Sequence, residues 1–171
     1  MNEQLNKLTI ADAQAKMYAE FDADLKTKCP CCHAVKRAYK RALTHSMINA
    51  LQLVQMHTQH CVVREFHLET ILKDATCHSG TRGDAAKLRY WGLIERGKRG
   101  NGYYHLTEKG NQFLAGELAV PTHVTVYENQ VLAHSDSTLV WNSSEGTKTT
   151  EKPNNRGLMG SLKAAVKNVF N

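Results

Sequence analysis

Residues 88–110 read Leu-Arg-Tyr-Trp-Gly-Leu-Ile-Glu-Arg-Gly-Lys-Arg-Gly-Asn-Gly-Tyr-Tyr-His-Leu-Thr-Glu-Lys-Gly. Two runs with strand character, Leu93–Arg96 and Tyr103–Leu106, flank a loop at 97–102 that contains three glycines and two basic residues. Glycine-rich loops between two short strand-like runs are typical of hairpins. The stretch therefore predicts a β-hairpin with a basic tip.

Helical patterns surround this hairpin. Thr9 and Asp12 have the spacing of a capping box, which predicts a helix start. Apolar residues that recur every three or four positions predict the other helices. In chain order, the predictions are helices at Ile10–Leu25, Ala34–Gln59 and His67–Asp74, a turn at Ser79–Gly83, helices at Asp84–Trp91 and Thr107–Gly116, and a second hairpin that turns at Glu128–Asn129.

The order helix, helix, turn, helix and basic hairpin is that of a winged helix-turn-helix. We therefore expect a mostly α protein with a small β component. The predicted parts are an N-terminal amphipathic helix at 1–28, a cysteine turn at 29–33, the winged helix at 34–119, a C-terminal β-hairpin at 120–141, and a flexible linker with a short amphipathic helix at 142–171. The linker has almost nothing apolar to bury, so we expect the tail to be dispensable for folding.

Two runs of sequence also resemble the MarR and PadR-type families of bacterial regulators. They are Leu88–Arg96 and Tyr103–Gly110. The resemblance implies that Leu88 packs the recognition helix onto the core and that the run at 107–110 joins the second wing strand to the next helix. It covers about a third of the chain and implies a winged-helix fold.

A looser resemblance connects residues 29–136 to a group of uncharacterised tailed-phage proteins. The matching segments are Cys29-Pro30-Cys31-Cys32, Tyr39-Lys40-Arg41, Gly83–Ile94, Thr107–Gly110 and Val120-Pro121. This resemblance implies a phage origin and supplies no activity.

Two basic regions are the candidate DNA contacts. In a winged helix the recognition helix enters the major groove and the wing reaches the neighbouring backbone or minor groove. The predicted contacts there are Ser79, Thr81, Arg82, Lys87, Lys98 and Arg99. The second region is a stripe on the predicted long helix, formed by Lys36, Arg37 and Lys40 with Arg41. It either contacts phosphates or pairs with the acidic residues Asp22 and Asp24.

Three of the five cysteines lie within residues 29–32. Their Cys-x-x-Cys spacing is typical of half a structural zinc site, so Cys29, Cys32 and His33 are the candidate ligands. Zinc bound within one chain, zinc shared between two chains, and metal-free thiols at a helix N-terminus all remain open. A continuous helix over Ala34–Gln59 would place His60 and Cys61 about 39 Å from Cys32, too far to join it in one chain.

The formal net charge of +6 and the pI of about 9.1 favour an acidic partner such as nucleic acid. No long apolar run and no secretory signal are recognised, which predicts a protein of the (host) cytoplasm without membrane contact. No catalytic motif stands out, and we expect no enzymatic activity. The sequence predicts a sequence-specific double-stranded DNA-binding protein, a phage transcriptional regulator that acts as a homodimer. The alternative is a protein-interaction module that redirects a host enzyme or defence factor.

Overall fold

The computed structural model describes residues 9–21, 25–60, 65–74, 79–142 and 146–150, with backbone alone at 60, 74, 79–81 and 146–150. The chain divides into two compact units. The described part of the first unit comes from Met1–Arg41 and Val124–His134, and that of the second from Ala42–His123 and Ser135–Lys152. Of the predicted winged-helix region, residues 34–41 belong to the first unit and residues 42–119 belong to the second.

The secondary structure alternates between helices and short strands. The elements are α1 (Ile10–Ala19), β1 (Lys26–Lys28), β2 (Val35–Arg37), β3 (Tyr39–Ala42), α2 (His45–His60), β4 (Phe66–His67), α3 (Leu68–Asp74), α4 (Ser79–Ala85), a 3₁₀ segment (Ala86–Trp91), β5 (Ile94–Arg96), β6 (Tyr103–Leu106), α5 (Glu108–Leu114), β7 (Val120–Pro121), β8 (His123–Tyr127), β9 (Gln130–His134), β10 (Thr138–Asn142) and β11 (Gly146–Thr150).

The capping box at the start of α1 is confirmed. The Thr9 hydroxyl accepts the Asp12 N–H at 3.2 Å, and the Asp12 carboxylate accepts the Thr9 N–H at 3.3 Å. The helix ends at Ala19, before the predicted end at Leu25. Its buried residues join the core of the first unit, which consists of Met17, Phe21, Ala38, Tyr127 and Leu132.

The predicted hairpin at Glu128–Asn129 is also confirmed. Both residues have positive φ, 47° and 67°, as a tight hairpin turn requires. Strands β8 and β9 pair antiparallel across this turn, and β3 adds a third strand in the order β3-β8-β9.

The long helix predicted over Ala34–Gln59 is wrong in its first part. Strands β2 and β3 occupy 35–42, and α2 begins only at His45. Val35 and Tyr39, which the helical spacing assigned to the buried face, are each 55% exposed, whereas Ala38 is buried. Thr44 marks the true start, because the Met47 N–H lies 3.4 Å from its hydroxyl. Tertiary pairing has overridden a local helical pattern here.

The second unit is built around α2 and the hairpin of β5 and β6. The side chains of Ile48, Leu51, Leu88, Trp91 and Phe113 are fully buried. The indole N–H of Trp91 donates to the Pro121 carbonyl at 2.7 Å, so this core ring keeps its polar group satisfied. Leu88 and Trp91 are therefore core residues, and for Leu88 this is the position that the family resemblance implied.

The joint between the hairpin and α5 depends on two side-chain features. The Thr107 hydroxyl donates to the Gly92 carbonyl at 2.7 Å, lies 3.0 Å from the Leu93 carbonyl, and accepts the Gly110 N–H at 3.0 Å. A Cβ at Gly110 would collide with the Leu93 carbonyl oxygen. The Thr-Glu-Lys-Gly run thus caps a helix and lets its first turn lie directly on the preceding backbone.

Two predictions between and after these elements are wrong. Ser79–Gly83 is not a turn but the greater part of helix α4, and the 3₁₀ segment follows it without a break. Residues 146–150 are not linker but strand β11, which pairs with β10 from Thr138↔Thr150 to Asn142↔Gly146. The strands are ordered β11-β10-β7. The predicted tail helix lies outside the described residues.

The predicted class, mostly α with a small β component, is also wrong. Helices hold 41% of the described residues and strands hold 31%, so the protein is mixed α/β. The strands that the sequence did not reveal are β1, β2, β3, β4, β7, β10 and β11. Each is short and is stabilised by pairing with a neighbouring strand, and in β10 the alternating residues Leu139 and Trp141 are buried as well.

Candidate nucleic-acid interface

The hairpin of β5 and β6 presents two cations at its turn. Ile94 pairs with Leu106 and Arg96 with Tyr104 along the strands. The wing turn, residues 97–102, contains Gly100 and Gly102 with φ of 118° and 85°, which glycine adopts at little cost. The Lys98 and Arg99 side chains at its tip are exposed.

Glu65, far from the wing in sequence, fixes the wing backbone. Its carboxylate accepts the Lys98 N–H at 2.9 Å and the Arg99 N–H at 3.2 Å. These hydrogen bonds, first that from Lys98, hold the pKa of Glu65 below its ordinary value of 4.5. The carboxylate thus orients the turn and also attracts the Arg99 guanidinium. Sequence reasoning missed Glu65, because nothing near it in the chain marks the contact.

A cleft of about 420 Å³ lies between α3, α4 and the β4-β6 strands. Arg82, Glu69 and Tyr104 contribute to its lining. The hydrogen bond and charge of Lys73 lower the pKa of Glu69, and Arg82 adds a smaller attraction. The half-buried Arg82 side chain is therefore attracted by the Glu69 carboxylate, which already forms an ion pair with Lys73.

His67 and Gly102 close the wing side of the same cleft. A Cβ at Gly102 would lie 2.6 Å from His67 Nε2, and the Gly102 carbonyl accepts the Leu68 N–H at 3.0 Å. The His67 ring packs edge-on against Tyr103, with the ring centroids 5.1 Å apart. These contacts connect the wing directly to the start of α3.

The other residues predicted on the recognition helix have different surroundings. Ser79 and Thr81 lie in α4, and their side chains are outside the described part. Lys87 lies in the 3₁₀ segment and forms an ion pair and hydrogen bond with Asp84 one turn earlier. Lys87 was predicted as a DNA contact, but its charge is already compensated within the segment.

The basic stripe of the first unit is not a helical stripe. Lys36 and Arg37 lie in β2 and Lys40 lies in β3. In a strand, consecutive side chains point to opposite faces, so Lys36 and Arg37 do not share a face. Arg37 faces Lys26 across the β1-β2 pair, which places two like charges at directly opposite positions.

The cysteine turn closes the β1-β2 hairpin. The Cys29 N–H donates to the Ala34 carbonyl at 3.0 Å, and the His33 N–H donates to the Cys29 carbonyl at 2.8 Å. His33 has a φ of 58°, the left-handed conformation that ends such a tight turn. Backbone N–H groups of Cys32 and Cys31 donate to the Cys29 sulfur and lower the pKa of this thiol.

Metal ligation by Cys29, Cys32 and His33 stays a prediction. Within the described ranges no three His, Cys, Asp or Glu side chains are arranged to hold one metal ion. Cys61, Cys77 and His78 lie outside those ranges. The distance that separated Cys61 from Cys32 in the sequence argument assumed a continuous helix over 34–59, and β2 and β3 remove that assumption.

Comparison of the chain with protein-family models, with curated proteins and with solved structures found no match. The resemblance to bacterial regulators and to phage proteins therefore stays a prediction. None of the helices in the described part combines the length and apolar character needed to cross a membrane.

Proposed function

We propose that this chain is a sequence-specific double-stranded DNA-binding protein that regulates transcription, with the second unit as a winged helix. The order α2, β4, α3, α4, β5, β6 supports the proposal, as does the strand order β4-β6-β5. Helix α4 with the 3₁₀ segment takes the place of the recognition helix, and the β5-β6 hairpin takes the place of the wing.

The observation that carries the proposal is the wing turn. Lys98 and Arg99 project from it, while the Glu65 carboxylate binds their backbone N–H groups. A fixed turn loses little conformational entropy when its side chains bind, which favours contact with a rigid polyanion. Long exposed cations on such a turn are suited to DNA phosphates, which position a protein on the duplex.

Arg82 is the candidate for reading base edges. Arginine forms two parallel hydrogen bonds with the major-groove edge of guanine. Arg82 lies in α4, beside the cleft that extends to the wing turn. It therefore lies between the proposed recognition helix and the proposed wing. Lys87 contributes less to this interface than Arg82, because Asp84 already pairs with it.

The alternative, a protein-interaction module, would need an apolar docking face. Among the described residues of the second unit, Met56 is the one large apolar side chain that is strongly exposed. The cations of the wing favour nucleic acid over a protein face of this kind. A single winged helix reads only a few base pairs, so the proposal includes a homodimer that binds two half-sites.

Titration of a labelled duplex at several salt concentrations tests the proposal. Lys98→Ala should weaken binding and reduce the slope of log affinity against log salt by about 0.9 for the lost phosphate contact. Lys16→Ala is the matched control, since Lys16 is exposed and lies on α1 of the first unit. Wild-type protein that shows no salt-dependent duplex binding contradicts the proposal, as do equal effects of the two substitutions.

Specificity needs a separate measurement. Arg82→Ala should cost about 1–3 kcal/mol on the best site selected from random duplexes, if the contact with guanine is bidentate. Binding to unrelated duplex should change much less. If both affinities fall equally, Arg82 contacts phosphate, and the sequence-specific part of the proposal fails.

A further inference from the structure

The cysteine turn has features that DNA binding by the second unit does not explain. Three thiols lie within four consecutive residues at the tip of a hairpin. Cys31, Cys32 and His33 are exposed, while Cys29 is partly buried against the first unit's core. An exposed thiol cluster is a poor solution for packing alone, because thiols behave as small apolar groups.

The turn arranges its sulfur atoms around Cys29. The backbone N–H groups of Cys31 and Cys32 donate to the Cys29 sulfur, and the thiols of Cys32 and Cys31 hydrogen-bond to it as well. Outer hydrogen bonds of this kind orient the ligands of metal sites and are part of their construction. Cys29 and Cys32 thus lie on one tight turn, whose ends are fixed by the pairing of β1 with β2 before any ion binds.

We propose that Cys29 and Cys32 of two copies of this chain bind one Zn²⁺ ion, so that the four thiolates complete a tetrahedral site between the two hairpins. Structural zinc takes four ligands, and a Cys-x-x-Cys turn supplies two of them. Because the turn lies at an exposed hairpin tip, a second copy can approach it head-on. A two-fold axis through the ion makes the contact closed and symmetric.

Charge is complementary at this contact. One Zn²⁺ ion with four thiolates carries a net charge of −2, and Lys28 and Lys36 flank each turn in the paired strands. The lysines of the two copies therefore surround an anionic centre when the metal is bound. Without the metal, the two basic hairpins repel each other, so the dimer should require the ion.

The zinc proposal does not depend on DNA binding. It also gives Cys31 and His33 different roles from Cys29 and Cys32. His33 ends the turn through its left-handed backbone, and Cys31 contributes its N–H to the Cys29 sulfur, which a serine backbone also provides. Cys31→Ser is therefore a matched control that removes one thiol from the same turn and leaves the two proposed ligands in place.

The experiment measures zinc content and mass of the full-length protein, by elemental analysis and sedimentation. The expected result is one zinc per two chains in a dimer that chelation converts to monomers. Cys32→Ser should abolish both zinc and dimer, and Cys31→Ser should retain both. Cobalt substitution should give the intense thiolate charge-transfer band of four-sulfur coordination in the wild type and in Cys31→Ser alone.

Three results would overturn the zinc proposal. One zinc per monomeric chain would place the site within a single chain, completed by Cys61, Cys77 or His78. Protein without zinc, in which all five thiols react freely, would remove the metal. A dimer that survives chelation and Cys32→Ser would have another interface. Circular dichroism of Cys32→Ser separates loss of the site from loss of the fold, because Cys32 is exposed and its replacement leaves the core intact.

Discussion

Two glycine-to-alanine substitutions in the second unit should change stability in opposite directions. Gly110 lies in the first turn of α5, where a Cβ would collide with the Leu93 carbonyl oxygen and lie 2.7 Å from Leu106 Cδ1. Gly83 lies in α4, where a Cβ would have no atom within 4 Å. Both glycines lie in helices, so the intrinsic helix preference contributes equally to the two substitutions. The difference between their free energies of unfolding therefore reports the effect of the surrounding atoms.

The magnitudes follow from three contributions. Alanine in place of glycine favours a helix by about 0.8–1 kcal/mol, which is the whole effect expected at Gly83. At Gly110 the overpacking costs about 1–3 kcal/mol, because a backbone carbonyl cannot rotate away as a side chain can. Moving α5 outward also stretches the hydrogen bond from the Thr107 hydroxyl to the Gly92 carbonyl, now 2.7 Å, which contributes about 0.5–1.5 kcal/mol. Gly110→Ala should therefore cost a net of about 0.5–3.5 kcal/mol.

Urea and thermal unfolding of the two variants test this reasoning. In a unit of about 100 residues, such as the second unit, a change of 1 kcal/mol in the free energy of unfolding corresponds to a shift in Tm of about 4–8 °C. Gly110→Ala should lower Tm, and Gly83→Ala should raise it. If Gly110→Ala proves as stable as the wild type, the close approach of α5 to Leu93 is wrong. If Gly83→Ala is the more destabilised of the two, α4 is not a helix at that residue.

Three further predictions concern the wing, the core and the C-terminal sheet. Because the folded-state pKa of Glu65 is depressed, its hold on the wing is present above the ordinary pKa of 4.5 and is lost as the pH falls through the lower folded value. The Lys98 and Arg99 amide proton shifts should titrate together in that acidic range and lose the titration in Glu65→Gln. Trp91→Phe removes the donor to the Pro121 carbonyl, now at 2.7 Å, and should cost about 1–3 kcal/mol in urea unfolding; an unchanged midpoint would contradict the hydrogen bond. Ending the chain after Asn142 removes β11 and its pairing with β10, so its Tm should fall below that of a chain ended after Thr150; equal Tm values would restore the linker interpretation.

Features encoded in adjacent residues could be predicted from the sequence. The capping box needs only Thr9 and Asp12, and the hairpin at Glu128–Asn129 is marked by Asn129, a residue type that adopts positive φ more readily than most. The wing strands were also correct, since glycines delimit them on both sides. In each case the interaction that stabilises the element lies within a few residues, where sequence patterns carry information.

Features that depend on distant partners could not be predicted. Residues 35–42 have a plausible helical pattern, and only the pairing of β2 with β1 and of β3 with β8 makes them strands. Strand β11 is polar throughout, so its composition does not predict a strand. It forms a strand because it pairs with β10. No local signal connects Glu65 to a turn more than thirty residues away.

The candidate interface likewise combines residues that the sequence identifies with contacts that only the folded chain shows. Those contacts determine which cations we expect to bind DNA. The sequence analysis grouped the cations of the predicted recognition helix and wing into one basic region, but a cation is available to DNA only after its internal partners are considered. Asp84 forms an ion pair with Lys87, and Glu69 attracts the positive charge of Arg82, so each of these cations already has an acidic neighbour. The Glu65 carboxylate, by contrast, accepts hydrogen bonds from backbone N–H groups. It therefore fixes the turn from which the Lys98 side chain projects. The wing tip is therefore where we expect substitution to change the salt dependence of DNA binding most.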